Sequence, residues 1–180
     1  GVCISHSDYG PDTIIDCFSP GMILSIDMAS FMDSYPEKTI YKRLYAPSHP
    51  HTSMSKGRSC SSCHLNPVML GFGEGKMEYV VINETGTWSF LPKYALRKED
   101  GLPEDAWTAF LNNKAVGKAT RSHMRPFSLK EQQDLLTVSS CLKCHDDDSQ
   151  IMKYSIHNFD SLLMRRTAKC ILPEWVFKNL

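Results

Sequence analysis

Cys60-Ser61-Ser62-Cys63-His64 and Cys141-Leu142-Lys143-Cys144-His145 are two copies of one pattern, C-x-x-C-H. Two cysteines at this spacing reach the two vinyl groups of one haem as thioethers, and the following His is placed to ligate its iron. The pair predicts two covalently bound haems c. Cys60, Cys63, Cys141 and Cys144 would be the thioether positions, with His64 and His145 as proximal ligands. The pattern also shapes the fold expectation, because covalent haem can stand in for part of an apolar core.

Zinc is the main rival reading of the same residues. Two C-x-x-C pairs can supply four thiolates to a structural zinc site. Zinc does not require His directly after each second cysteine, however, and both copies have it. The long interval from Cys63 to Cys141 also exceeds that of compact zinc ribbons. Placement argues against two separate single-haem domains: residues 1–59 precede the first motif and only 146–180 follow the second.

Composition narrows the partners. Hydrophobic residues at 42% and charged residues at 22% are ordinary for a soluble globular chain. Lys+Arg and Asp+Glu are each 20, which argues against nucleic acid or an anionic membrane as partner. Each haem would add two propionates and make the loaded protein more acidic. No apolar run reaches the roughly 18 residues of a membrane span. The chain begins at Gly1, as expected of a processed, exported chain and equally of an excised fragment. Haem c attachment takes place outside the bacterial cytoplasm, so a periplasmic or extracellular location is expected. Beyond the haem motifs, Cys3, Cys17 and Cys170 allow one disulfide, either Cys3–Cys17 or Cys17–Cys170.

The periodicity predicts mainly helix, with long irregular segments and one small β-hairpin, in a single domain over 1–180. Residues 1–48 form a helical arm after a loop-rich start. Helices are expected over 21–34, where Met22, Ile23, Ile26 and Ala29 share a face, and over 36–45. Residues 49–91 form the first haem segment. Its hairpin runs from Lys76 to Leu91 around the turn-prone Asn83-Glu84-Thr85-Gly86. Gly71-Phe72-Gly73 is read as a loop approaching the haem edge. Residues 92–180 form the second haem segment. It holds a short helix over 102–112, a helix capped by Ser128 and Glu131, and a final helix over 161–169. The apolar tail 171–177 is expected to dock on the body of the protein or on another subunit. Asp146-Asp147-Asp148 reads as a solvated turn.

A low-spin haem iron takes a second axial ligand, His or Met. His49, His51 and Met54 lie in the Pro/Ser/His loop just before the first motif, and His51 is the preferred one. His6 and His157, near the termini, are spare. One of them could reach a haem in a neighbouring subunit.

The motif contexts carry a resemblance. Residues 58–73, Arg-Ser-Cys-Ser-Ser-Cys-His-Leu-Asn-Pro-Val-Met-Leu-Gly-Phe-Gly, resemble a segment of bacterial multihaem c-type cytochromes, including octahaem tetrathionate-reductase-like proteins. Ser122-His123-Met124-Arg125-Pro126-Phe127, with the acidic helix and second motif that follow, resembles another segment of that group. The resemblance implies His51 and His123 as distal ligands, and a multihaem architecture packed around its cofactors. This chain departs from the group in carrying two motifs where the group has five to eight.

The resulting expectation is an electron-transfer protein with two bis-His haems and no catalytic residue. Its partners would be redox proteins, neighbouring cytochrome subunits in a complex or filament, or a second copy of the chain. The alternative is a haem-dependent reductase or peroxidase with one open-site haem.

Overall fold

The computed structural model describes residues 1–6, 13–31, 39–47, 55–112 and 124–178. The expected mainly helical, cytochrome-like architecture is not what forms, because strand predominates. The correction is concentrated in the arm. Strand β1 (Val2–His6) pairs antiparallel with β2 (Thr13–Asp27), which pairs antiparallel with β3 (Thr39–Pro47). A short β6 (Met124–Arg125) closes the other edge and gives the order β3-β2-β1-β6.

The physical reason is visible in the residues. β-Branched Thr13, Ile14, Ile15, Ile23 and Ile26 favour extended backbone, and Thr39, Ile40 and Tyr41 do the same in the partner strand. Pro20 cannot donate to a ladder, and the β2–β3 register slips between Pro20 and Ile23, so the proline sits at a bulge. The presumed helical face of 21–34 is not a buried stripe, since Met22 and Ile26 are both exposed. Among the described residues of this stretch, only Met28–Ser30 coils, as a 3-10 turn capped by the Asp27 carboxylate, which accepts from Ala29 N at 3.0 Å.

Arg43 is the expensive side chain of this sheet. It is 2% exposed and lies on β3. Its guanidinium donates to both oxygens of Asp100, at 2.5 and 3.1 Å, and to the carbonyls of Leu102, Glu104 and Ala106. A buried charge persists only with such complete pairing. Those bonds tie the sheet to the 97–108 segment, which forms turns in place of the expected short helix. Trp107 from that segment is buried against Phe18, with ring centroids 3.7 Å apart, in a cluster with Cys3 and Met124.

The hairpin agrees with its sequence reading. β4 (Gly75–Ile82) pairs with β5 (Thr85–Pro92) around Asn83 and Glu84, both at positive φ, as a two-residue hairpin turn demands. Trp88, from the inner face of β5, packs with Leu70, Phe72 and Leu136. The Gly-rich loop is a correction. Gly71 and Gly73 take positive φ, and a Cβ on either would collide with Trp107 or Asp105 respectively. The close approach they permit is to these side chains.

Among the described residues there are three α-helices: α1 (Cys60–His64), α2 (Leu129–Cys141) and α3 (Gln150–Met164). α2 carries the expected capping box, with Ser128 and Glu131 bonding reciprocally. α3 begins well before the expected position and is kinked at Asn158. The tail docks as expected: Trp175 Nε1 donates to Gln133 O and Thr137 Oγ1, both at 3.1 Å. Leu172 and Val176 pack on Leu163. Among the described residues, no helix is long and apolar enough to cross a membrane.

Candidate haem-attachment site

The two motifs meet on α2. The second is the end of that helix: Cys141 is its last residue, and the turn continues with His145 N donating to Cys141 O at 2.9 Å. The first forms α1, a single turn capped by Ser59, whose hydroxyl accepts from Ser62 N. α1 docks on the flank of α2 through two hydrogen bonds. Ser139 Oγ donates to His64 O at 2.7 Å, and His64 Nδ1 lies 3.3 Å from Leu135 O. A carbonyl only accepts, so Nδ1 carries the proton and the Nε2 lone pair is left available to a metal. Burial lowers the His64 pKa and so favours that neutral form.

A third contact joins the motifs directly. The Asp147 carboxylate accepts from Ser61 N at 3.0 Å and from Ser61 Oγ at 2.8 Å. The Ser61 hydrogen bond holds the Asp147 pKa below its ordinary value. The acidic triplet, read from sequence as a solvated turn, thus supplies a structural carboxylate.

Each motif faces a cavity. Cys60 and His64 line one of about 340 Å³. Cys141 and His145 line another of about 220 Å³. The two cavities adjoin, because Cys141, Met152, Ser155 and Phe159 line both. α3 forms their common wall. Met152 is buried there, and its thioether belongs to a class that ligates haem iron. A Met inside a helix carries no sequence signal beyond core packing. A further cavity, of about 500 Å³, lies between Asn66–Val68 and the base of the hairpin and is lined by no Cys or His among the described residues.

The residues are of the donor types that covalent haem uses, but the two thiols of a motif do not line one cavity together. In each motif one thiol and the following imidazole face the same, largely apolar space. Cys63 and Cys144 are not lining residues; Cys144 is exposed and Cys63 half-buried. The zinc arrangement is not assembled: among the described residues no group of three or more His, Cys, Asp or Glu is placed to hold a metal. All seven cysteines are free thiols. The expected disulfide is absent for a geometric reason. Cys3 pairs with Asp16 and Cys17 with Val2, so alternation sends their side chains to opposite faces of the sheet. Cys170 lies instead beside Cys141, at the edge of the third apolar cluster.

Burial pushes the Cys141 thiol up to about 11, with Cys170 and Cys144 nearby adding to it, and burial pushes Cys3 to about 11. The preferred distal ligands, His51 and His123, lie outside the described residues, as do His49 and Met54. His6 is exposed on β1, and its Nδ1 is 3.5 Å from Thr13 Oγ1. His157 is exposed on α3. Neither lines a cavity that holds a motif.

Compared with family models, curated proteins and solved structures, the chain matches none.

Proposed function

We propose that this chain is an exported di-haem c-type protein that transfers electrons between redox partner proteins. One observation carries the reading: each C-x-x-C-H turn presents a cysteine and its histidine to one of two adjoining cavities with largely apolar walls. In this reading Cys60 and Cys63 hold one haem and Cys141 and Cys144 the other. His64 and His145 ligate the irons, with His51 and His123 as the second ligands. The likeness of residues 58–73 and 122–145 to segments of multihaem c-type cytochromes supports it at the level of motifs.

The haem supplies one-electron chemistry at its iron; the chain supplies position, burial and charge. The Leu135 carbonyl orients the His64 ring. Ser139 and Asp147 hold the α1 turn that bears Cys60 and Cys63. α3 walls both cavities, and its Met152 and Phe159 line each of them. Redox partner proteins, neighbouring cytochrome subunits or a second copy of the chain would exchange the electrons, in the periplasm or outside the cell.

The test is a visible spectrum of protein matured in an export host, with pyridine haemochrome stoichiometry. Two thioether haems per chain with six-coordinate low-spin bands are the expected result. A colourless protein sinks the reading. High-spin bands would move it to the reductase or peroxidase alternative.

A further inference from the structure

Three of the free thiols lie together at the end of α2. Cys141 is the last residue of that helix, Cys144 follows in its closing turn, and Cys170 comes from the segment after α3. The C-x-x-C-H spacing accounts for Cys141 and Cys144 and leaves Cys170 unexplained. Cys141 and Cys170 line the same cavity of about 220 Å³ and pack against the same apolar cluster of Leu163, Leu172 and Val176. Cys144 is exposed and lines neither of the two cavities beside the motifs. Burial raises the Tyr79 phenol, and charge on any of the three thiols adds to that, so all three surround its hydroxyl. Both backbones are fixed. Cys141 O accepts from Cys144 N and His145 N, at 3.1 and 2.9 Å. Cys170 N donates to Thr167 O at 2.9 Å, and the Tyr79 hydroxyl donates to the next carbonyl, Ile171 O, at 2.7 Å.

We infer that Cys141 and Cys170 form a disulfide when the free-thiol chain meets a disulfide oxidant, and that this bond withdraws Cys141 from the second C-x-x-C-H pair. The inference does not rest on the di-haem reading. The chemistry is thiol–disulfide exchange. Burial raises the Cys170 thiol, but the Arg166 charge opposes that, whereas the Cys141 thiol is pushed up to about 11. Cys170 is therefore the first attacking thiolate. It attacks one sulfur of the oxidant, forms a mixed disulfide and releases the first thiol. Cys141, deprotonated, then attacks the Cys170 sulfur and expels the second thiol. The two cysteines lose two protons and two electrons, and the oxidant gains them. The new bond joins the end of α2 to the tail and encloses the whole of α3 in one loop. Closing that loop restricts the unfolded chain and stabilises the folded one. A chain so linked keeps Cys144 alone free at the second motif, while Cys60 and Cys63 are untouched.

The experiment treats the reduced full chain with oxidised glutathione, blocks the remaining thiols with iodoacetamide and maps the tryptic peptides. Cleavage after Lys130, Lys143, Lys153, Lys169 and Lys178 puts the three cysteines on separate peptides, 131–143, 144–153 and 170–178. The expected result is a linked pair of 131–143 with 170–178, in wild type and in C144S, lost in C170S and on reduction. The oxidised chain should melt about 5–10 °C above the reduced one. Recovery of Cys170 alkylated or bound to glutathione overturns the inference, as does a link between 131–143 and 144–153 in its place. A link between 131–143 and 170–178 that leaves Tm unchanged or lowers it also overturns the inference, because the bond would then be forced on the fold.

Discussion

Ser61 and Asp147 are joined by two hydrogen bonds, 3.0 Å from the serine N–H and 2.8 Å from its hydroxyl, across 86 residues of sequence. One residue lies inside the first C-x-x-C-H turn and the other two residues beyond the second. D147A should detach the start of α1 from the turn after His145. Amide exchange at Ser61 should accelerate by at least tenfold relative to wild type. D147N, which keeps an acceptor oxygen, should lose less protection. Equal protection in wild type and D147A would refute the link.

The Arg43–Asp100 pair makes a sharper demand on stability. R43A strips a 2%-exposed charge from β3 and leaves Asp100 and three carbonyls without their donor. Breaking a buried pair from one side costs about 3–5 kcal/mol. Urea unfolding should show a loss of that order. A loss under about 1 kcal/mol would mean the segment 97–108 does not depend on this anchor.

Acid should weaken the start of α2. Glu131 is held at about 2 rather than 4.5, chiefly by its hydrogen bonds to Arg125. The folded state thus binds fewer protons than the unfolded one between those values. Its stabilising contribution is complete above about pH 4.5 and fades as pH falls towards about 2. A series of Tm values from pH 6 to pH 2 should fall less steeply for E131Q than for wild type. Parallel curves would count against the pair.

Thiol chemistry offers a test in protein made without haem attachment. Cys141 and Cys3 sit at about 11, so at pH 8 only about one thiol in a thousand is ionised at either site. Iodoacetamide should label the exposed Cys60 and Cys144 early, and Cys141 and Cys3 last. Early labelling of Cys141 would mean the cavity wall opens freely in that form.

What sequence revealed depended on how local the signal was. The hairpin was legible because Glu78–Ile82 and Thr87–Leu91 are β-rich and the turn between them is short. The Ser128–Glu131 cap was legible because both partners lie within one turn. The arm was misread because Met22, Ile23, Ile26 and Ala29 are spaced as on a helix. The extended outcome depends on pairing with Thr39–Pro47, a long-range contact that spacing does not encode. In the site, the C-x-x-C-H turns announced themselves. The Leu135 carbonyl that orients His64 has no side-chain signature, and Asp147 looked like one of three solvated acids.

One helix carries both motifs, the first on its flank at Leu135 and Ser139, the second at its end from Cys141. The interval between them is therefore measured in helix rise, about 9 Å from Leu135 to Cys141 at roughly 1.5 Å per residue. α2 acts as a ruler. A residue inserted between these positions would lengthen the interval and also swing one motif about 100° around the axis relative to the other. The tolerance of the chain to length change is thus unequal: the turn at Asn83-Glu84 can absorb an extra residue, and the six steps from Leu135 to Cys141 cannot.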